Sequence, residues 1–199
     1  MSKVHTCFVL GESGVGKSTF INEITGTKQC DCSDSPYPCT KYYQLVKTEF
    51  ENETFQFIDT PAIDNPSIFD DSQNEMSIKE IKDAISKYSN IQVLIILLNY
   101  QKPRISQGFN NDLKTYMKIF PFKDFWSHVI FIYTSTYSNS KHKLDYKRSK
   151  VLDQIIHGLR NTFGLKTNIP IFFGDFSGEK NWEMEFTKNE ILSCIKKFI

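Results

Sequence analysis

Residues 11–18 read Gly11-Glu12-Ser13-Gly14-Val15-Gly16-Lys17-Ser18 and satisfy the pattern G-x-x-x-x-G-K-[ST] at every fixed position. The apolar run Val4–Leu10 in front of them reads as a short buried strand, and Lys17–Thr25 behind them as a helix. A strand, a glycine-rich turn and a helix are the context this motif requires. The glycines let successive backbone N–H groups turn inward as a nest for phosphate oxygens, and the helix start adds its partial positive charge. Lys17 is placed to reach the β- and γ-phosphates, and the Ser18 hydroxyl to ligate Mg²⁺. Thr19 completes the stretch at the first turn of the helix. Three of the chain's 9 glycines fall in these few positions, so a glycine-poor chain concentrates glycine where phosphate would bind.

Working outward, residues 42–50 and 54–58 read as a strand pair with Glu51-Asn52-Glu53 as the turn. Met76, Ile78, Ile81, Ile85 and Tyr88 recur at helical spacing. Residues 91–98 form a near-continuous aliphatic run, the mark of a parallel strand covered on both faces. Phe109, Leu113, Tyr116, Met117 and Phe120 outline a second amphipathic helix, and Val151, Leu152, Ile155, Ile156, Leu159 and Phe163 a third, which Gly164 closes. Residues 128–133 and 169–173 complete the strands, and 191–199 form a last helix that covers the sheet. Six strands alternating with helices predict a doubly wound α/β sheet in a single domain over residues 1–199.

The chain's 199 residues carry a net charge of +1, which argues against a nucleic-acid partner held by bulk charge and against an acidic tail. Disorder is excluded by 17 Phe and 9 Tyr. The first ten residues do not read as a signal peptide, and no apolar run approaches the ~20 residues of a membrane span. The 5 cysteines are therefore expected as reduced thiols in the cytoplasm. Cys30, Cys32 and Cys39 lie close together but lack a nearby fourth ligand, so a structural metal clip is not expected. The lysine-rich stretch 141–150 reads as a solvated loop and helix start, and the four histidines lack metal-ligand spacing.

A phosphate loop of this type needs an acidic partner at the end of another strand to hold the Mg²⁺ shell. Asp59, ending the strand before Thr60-Pro61-Ala62, is that candidate, acting through water. Thr40, in the loop between the first helix and the next strand, is positioned to meet the γ-phosphate and Mg²⁺ through its hydroxyl. The combination of GESGVGKST, a loop threonine and Asp59-Thr60-Pro61 resembles the septin-like branch of P-loop GTPases, and within it the immunity-associated nucleotide-binding (AIG-type, IAN or GIMAP) family. Pro103-Arg104-Ile105-Ser106 before a helix is similar to that family's own signature segment.

The resemblance implies a three-layer α/β/α fold of Ras-like G-domain type, with a mostly parallel sheet of about six strands and one antiparallel strand. It implies GTP and GDP as ligands, Mg²⁺ as cofactor and homodimerisation across the nucleotide face. Longer relatives attach to membranes, and this sequence shows no anchor for that. Nucleotide contacts are implied for residues 11–19, Asp59, Thr134 and Ser177, with catalytic roles for Lys17 and Thr40.

Three positions depart from the family pattern. Ala62 replaces the glycine of Asp-Thr-Pro-Gly, and alanine resists φ > 0. Ile63 stands where water-activating GTPases carry glutamine, and an apolar side chain cannot orient the attacking water. Tyr137 occupies the aspartate position of the base-reading Thr-x-x-Asp motif, and Asp145 lies too far along for a direct match. Slow hydrolysis follows as the expectation, with a Mg²⁺-dependent GTP-binding switch as the leading reading. A nucleotide-binding interaction module without turnover is the alternative. A P-loop small-molecule kinase is a further one, disfavoured by only three arginines where an arginine-rich lid is needed. Arg104 is expected in a surface or phosphate-adjacent role rather than as an arginine finger.

Overall fold

The computed structural model describes residues 3–30, 40–63, 71–88, 90–101, 106–134, 141–176 and 182–198. Six strands form one sheet in the order β2-β3-β1-β4-β5-β6: β1 Val4–Leu10, β2 Gln44–Phe50, β3 Glu53–Asp59, β4 Val93–Asn99, β5 Val129–Thr134 and β6 Ile171–Phe173. Only the β2–β3 pair is antiparallel; β3–β1, β1–β4, β4–β5 and β5–β6 are parallel. The mixed sheet expected from the sequence is therefore the one observed.

Five helices cover the two faces. Helices α1 Lys17–Thr25 and α5 Trp182–Ile195 bury Phe20, Ile21, Ile24, Ile191, Leu192 and Ile195 against the side chains of Cys7, Val9, Val93, Ile95 and Ile130. On the other face lie α2 Asp71–Lys87, α3 Gln107–Ile119 and α4 Lys141–Phe163, packed over Phe8, Leu10, Leu94, Ile96 and Phe131. Alternate residues of β1 and β4 thus serve opposite cores, which is why the 91–98 run is apolar throughout. Each fully buried Ile, Leu or Phe in these layers contributes about 1.5–3 kcal/mol.

Local chemistry explains the boundaries, including those the sequence pattern misplaces. The β2–β3 turn is the two-residue pair Glu51 (φ 48°) and Asn52 (φ 63°), both left-handed as a tight twisted hairpin requires, so Glu53 opens β3 instead of belonging to the turn. Ser106 caps α3, its Oγ accepting from the Phe109 N–H at 2.9 Å. Strand β6 starts only at Ile171: Pro170 has no N–H to give, though its carbonyl accepts from Phe131 N at 3.0 Å. Helices α2, α4 and α5 begin earlier than the apolar period indicates, α4 by ten residues, so the lysine-rich stretch 141–150 is helix. Met76 and Met117, which fall on the apolar spacing of α2 and α3, are 60% and 38% exposed. Among the described residues no helix is long and apolar enough to cross a membrane.

Candidate phosphate and metal site

The loop between β1 and α1 holds three glycines at positive φ: Gly11 (142°), Gly14 (71°) and Gly16 (94°). At Gly11 a second constraint acts, since a Cβ there would sit 2.8 Å from the Leu97 carbonyl oxygen of β4. Side chains are excluded by backbone approach as well as by conformation. Gly16 takes the position before the first helical residue without any side-chain cap, which leaves the first N–H groups of α1 pointing into the loop. Lys17, 8% exposed, folds back over the loop and donates from Nζ to the carbonyls of Gly11 (2.9 Å) and Glu12 (3.0 Å).

Two threonine hydroxyls hold this loop and its neighbour in place, a role the sequence pattern did not reveal. Thr134, at the end of β5, donates to the Val15 carbonyl at 2.8 Å and also lies 3.3 Å from the Leu98 carbonyl. Its hydroxyl thus faces the phosphate loop backbone, beside the nucleotide role that the resemblance implied for it. Thr60, fully buried, donates to the Val9 carbonyl at 2.7 Å and ties the exit of β3 to β1. Thr60 sits one step past the end of β3 and Thr134 at the end of β5.

Ser18, Thr40 and Asp59 converge. Ser18 Oγ donates to Asp59 Oδ2 at 2.7 Å, Thr40 Oγ1 lies 3.4 Å from the same oxygen, and the two hydroxyls are 3.3 Å apart. The parallel register that sets Val9 opposite Asp59 brings this carboxylate beside the phosphate loop. Asp59 is 1% exposed, and its Oδ1 is buried without a hydrogen-bond partner. Burial pushes its carboxyl above the usual carboxylate range; the Ser18 hydroxyl, the Lys17 charge and contacts from Thr40 and Cys30 oppose this only in part. Two hydroxyls and a carboxylate with an orphaned oxygen form a hard-oxygen donor set, which fits Mg²⁺. Asn22 clasps Cys30 in both directions, Nδ2 donating to its carbonyl and Oδ1 accepting its N–H, each at 2.9 Å, and so ties residue 30 back to α1.

Ile63 is 5% exposed and belongs to the core under α2, α3 and α4, while Ala62 is half-buried. Asp145 lies within α4. Ser177, Tyr137, Arg104, Cys32 and Cys39 lie outside the described residues. Cys7, Cys30 and Cys194 are in no disulfide, and no group of three or more His, Cys, Asp or Glu side chains among the described residues is arranged to hold a metal.

Known proteins share both sequence and architecture with this chain. GTPase Era of Carboxydothermus hydrogenoformans is 29% identical over 111 residues, which is 56% of this chain and 35% of that protein. The chain thus spans about a third of the length of this curated relative. Among solved structures, Toc33 from Arabidopsis thaliana in complex with Mg²⁺ and GMPPNP superposes with a TM-score of 0.71 at 17% identity, covering 99% of this chain and 87% of that one. A second structure, described as showing that dimerization is important for the GTPase activity of chloroplast translocon components, reaches 0.74 at 17% identity over 98% and 83%. Era in complex with MgGDPNP and nucleotides 1506–1542 of 16S ribosomal RNA gives 0.70 at 19% identity over 100% and 58%. These structures establish the fold. The sequence model of the 50S ribosome-binding GTPase family matches residues 6–126, from β1 through the phosphate loop, Asp59 and β4 to the end of α3 and beyond, more than half of the chain, and on that match the chain belongs to this family of P-loop GTPases.

Proposed function

We propose that this GTP-binding domain works as a Mg²⁺-dependent switch with slow hydrolysis of GTP to GDP and phosphate. The observation that carries the reading is the meeting of Ser18, Thr40 and Asp59 around one buried carboxylate whose second oxygen has no partner. Residues 11–19 cradle the phosphates, Lys17 neutralises the β- and γ-oxygens, Ser18 and Thr40 ligate Mg²⁺, and Asp59 acts through its water shell. Contact of Thr40 and the Asp59 loop with the γ-phosphate, lost on hydrolysis, converts nucleotide state into surface shape. The finer likeness is to the AIG-type proteins, in a single domain over residues 1–199 that acts in the cytoplasm. Dimerisation across the nucleotide face is part of the proposal, supported by the dimerization named for the translocon structure.

Slow turnover is supported by Ile63, which is buried in the core where a water-orienting glutamine would have to reach the phosphate. The same residue favours the second reading, a module that binds nucleotide and does not turn it over. Calorimetric titration with GTP in Mg²⁺ and in chelator tests the first claim: absence of binding at micromolar GTP sinks both readings. Single-turnover hydrolysis at high protein concentration then separates them, and sedimentation with GDP or GMPPNP reads the dimer.

A further inference from the structure

A GTPase must read the N1–H and 2-amino edge of guanine, and in this sequence Tyr137 stands where the resembled motif carries the reading carboxylate. We propose that Asp175, in the loop after β6, supplies that carboxylate. The inference rests on the guanine-nucleotide reading above and adds the residue that decides the base.

Sheet order sets the direction in which a nucleotide must lie. The metal-side groups Thr40 and Asp59 are on the β3 side of the phosphate loop, so ribose and base run the other way, over β4, β5 and β6. These strands are parallel, and their carboxyl ends open on the same edge as the phosphate loop. Strand β6 lies three spacings from β1, about 14 Å at ~4.8 Å per strand, a reach suited to the base end of a nucleotide. Among the described residues just past the ends of β4, β5 and β6 (99–101, 134 and 174–176), Asp175 is the one carboxylate.

Its loop is held from both sides. The Gly174 N–H donates to the Tyr133 carbonyl at 3.0 Å, carrying the β5–β6 pairing one residue further. Phe176, 4% exposed, sets its ring edge-on against Phe20 of α1 with centroids 5.0 Å apart. That ring covers Gly174 so closely that a Cβ there would lie 2.7 Å from it. Asp175 is therefore a half-buried residue between two anchored neighbours on the base side of the sheet. The hydroxyl at the end of β5 is already turned to the phosphate loop, since Thr134 donates to Val15. A carboxylate accepts both guanine protons; adenine offers neither, and xanthine presents a carbonyl in place of the amino group.

The test is competition of GTP, ITP, XTP and ATP against a fluorescent GTP analogue in Mg²⁺, on the whole chain and on Asp175→Asn and Asp175→Ala. Wild type should prefer GTP to ITP by about tenfold or more and reject ATP. Asp175→Asn should raise the XTP-to-GTP affinity ratio by about 100-fold, because its amide donates to the xanthine carbonyl. Asp175→Ala should erase the GTP-over-ITP preference, and this ratio decides the matter where the asparagine variant does not fold. If wild type binds none of the four, the function reading falls and this inference with it. If wild type prefers GTP and the variants keep its ratios, Asp175 is not the reader and the function reading stands. A wild-type preference for ATP also overturns the assignment.

Discussion

Strand β3 carries a carboxylate at each end, and the protein treats the two in opposite ways. Glu53, where the strand opens, pairs through Oε2 with His5 Nε2 at 2.5 Å and stands 3.7 Å from Lys196 Nζ; the His5 hydrogen bond leads in holding its carboxyl below the usual carboxylate range. Asp59, where the strand ends six residues later, is pushed up by burial and keeps one oxygen without a partner. Around Glu53 the chain supplies the partners itself, His5 from β1 and Lys196 from just past α5, and leaves His5 Nδ1 buried without a partner. Around Asp59 it supplies hydroxyls and a lysine that bonds carbonyls, and leaves one carboxylate oxygen without a partner. One end of the sheet is closed by the protein; the other is built for a ligand.

The sharpest way to break that contrast is at Lys17. If its two donors exchange the Gly11 and Glu12 carbonyls for phosphate oxygens, Lys17→Ala removes two charge-assisted hydrogen bonds, about 3–6 kcal/mol, and weakens GTP by roughly 10²–10⁴-fold. Calorimetry with Mg²⁺ and GTP reads this directly, and a loss below tenfold would mean that the carboxyl end is not a phosphate site. Next in size is Gly11→Ala, which adds a left-handed side chain and a clash with the Leu97 carbonyl. It should cost about 2–4 kcal/mol in denaturant unfolding, against about 1–2 kcal/mol for Gly14→Ala, where the space is open. Equal costs would show that conformation alone, without the close approach of β4, demands glycine at position 11.

Asp59→Asn is expected to have an intermediate effect and to act on two readouts in opposite directions. Chelating Mg²⁺ should weaken GTP about tenfold in wild type and hardly at all in the variant, because the charge that draws the cation is gone. Stability without nucleotide should respond the other way. A carboxyl whose folded pKa is raised contributes most below its ordinary pKa, and that contribution disappears as pH rises through the raised value. The nucleotide-free wild type should therefore lose stability over that window, and Asp59→Asn should not. Thermal unfolding from the ordinary carboxylate range upward in pH, with chelator present, distinguishes the two; parallel curves would place Asp59 with Glu53 as a satisfied group.

How much of this contrast the sequence reveals depends on whether a signal is local. The phosphate loop is local: eight consecutive residues between a buried run and a helix, so β1, α1 and the roles of Gly11 and Lys17 follow from spacing. The aliphatic run of β4 is equally plain, since strands covered on both faces leave no polar alternation to misread. The early turns of α2 and α4 are illegible because they are polar, and periodicity speaks only where apolar residues recur. Thr134 and Thr60 are illegible for another reason. Their hydroxyls bond carbonyls 119 and 51 positions away, and such pairings exist only once the strands lie in register. Asp59 could be proposed as a metal-side carboxylate from its place after an apolar strand. Its orphaned oxygen could not, because burial is a property of the packed sheet.

The smallest effect belongs to the closed end. Glu53 has its carboxyl lowered, so its contribution is present above the ordinary carboxylate pKa and is lost as pH falls through the lowered value. The groups facing it are His5 at 2.5 Å, Lys196 at 3.7 Å and the charge of Lys3. Protonation of Glu53 removes its attraction to these groups and replaces it with a neutral contact. Glu53→Gln should leave GTP binding unchanged, because the site lies at the opposite end of β3. It should flatten the acid limb of the melting temperature below the ordinary glutamate pKa, with the two proteins converging at the lowest pH, where wild-type Glu53 is neutral as well. The side chain is 25% exposed and solvent screens it, so the difference at neutral pH should be modest. A change in GTP affinity from this substitution would show that the two ends are coupled through β3, and that the strand transmits what its ends otherwise keep apart.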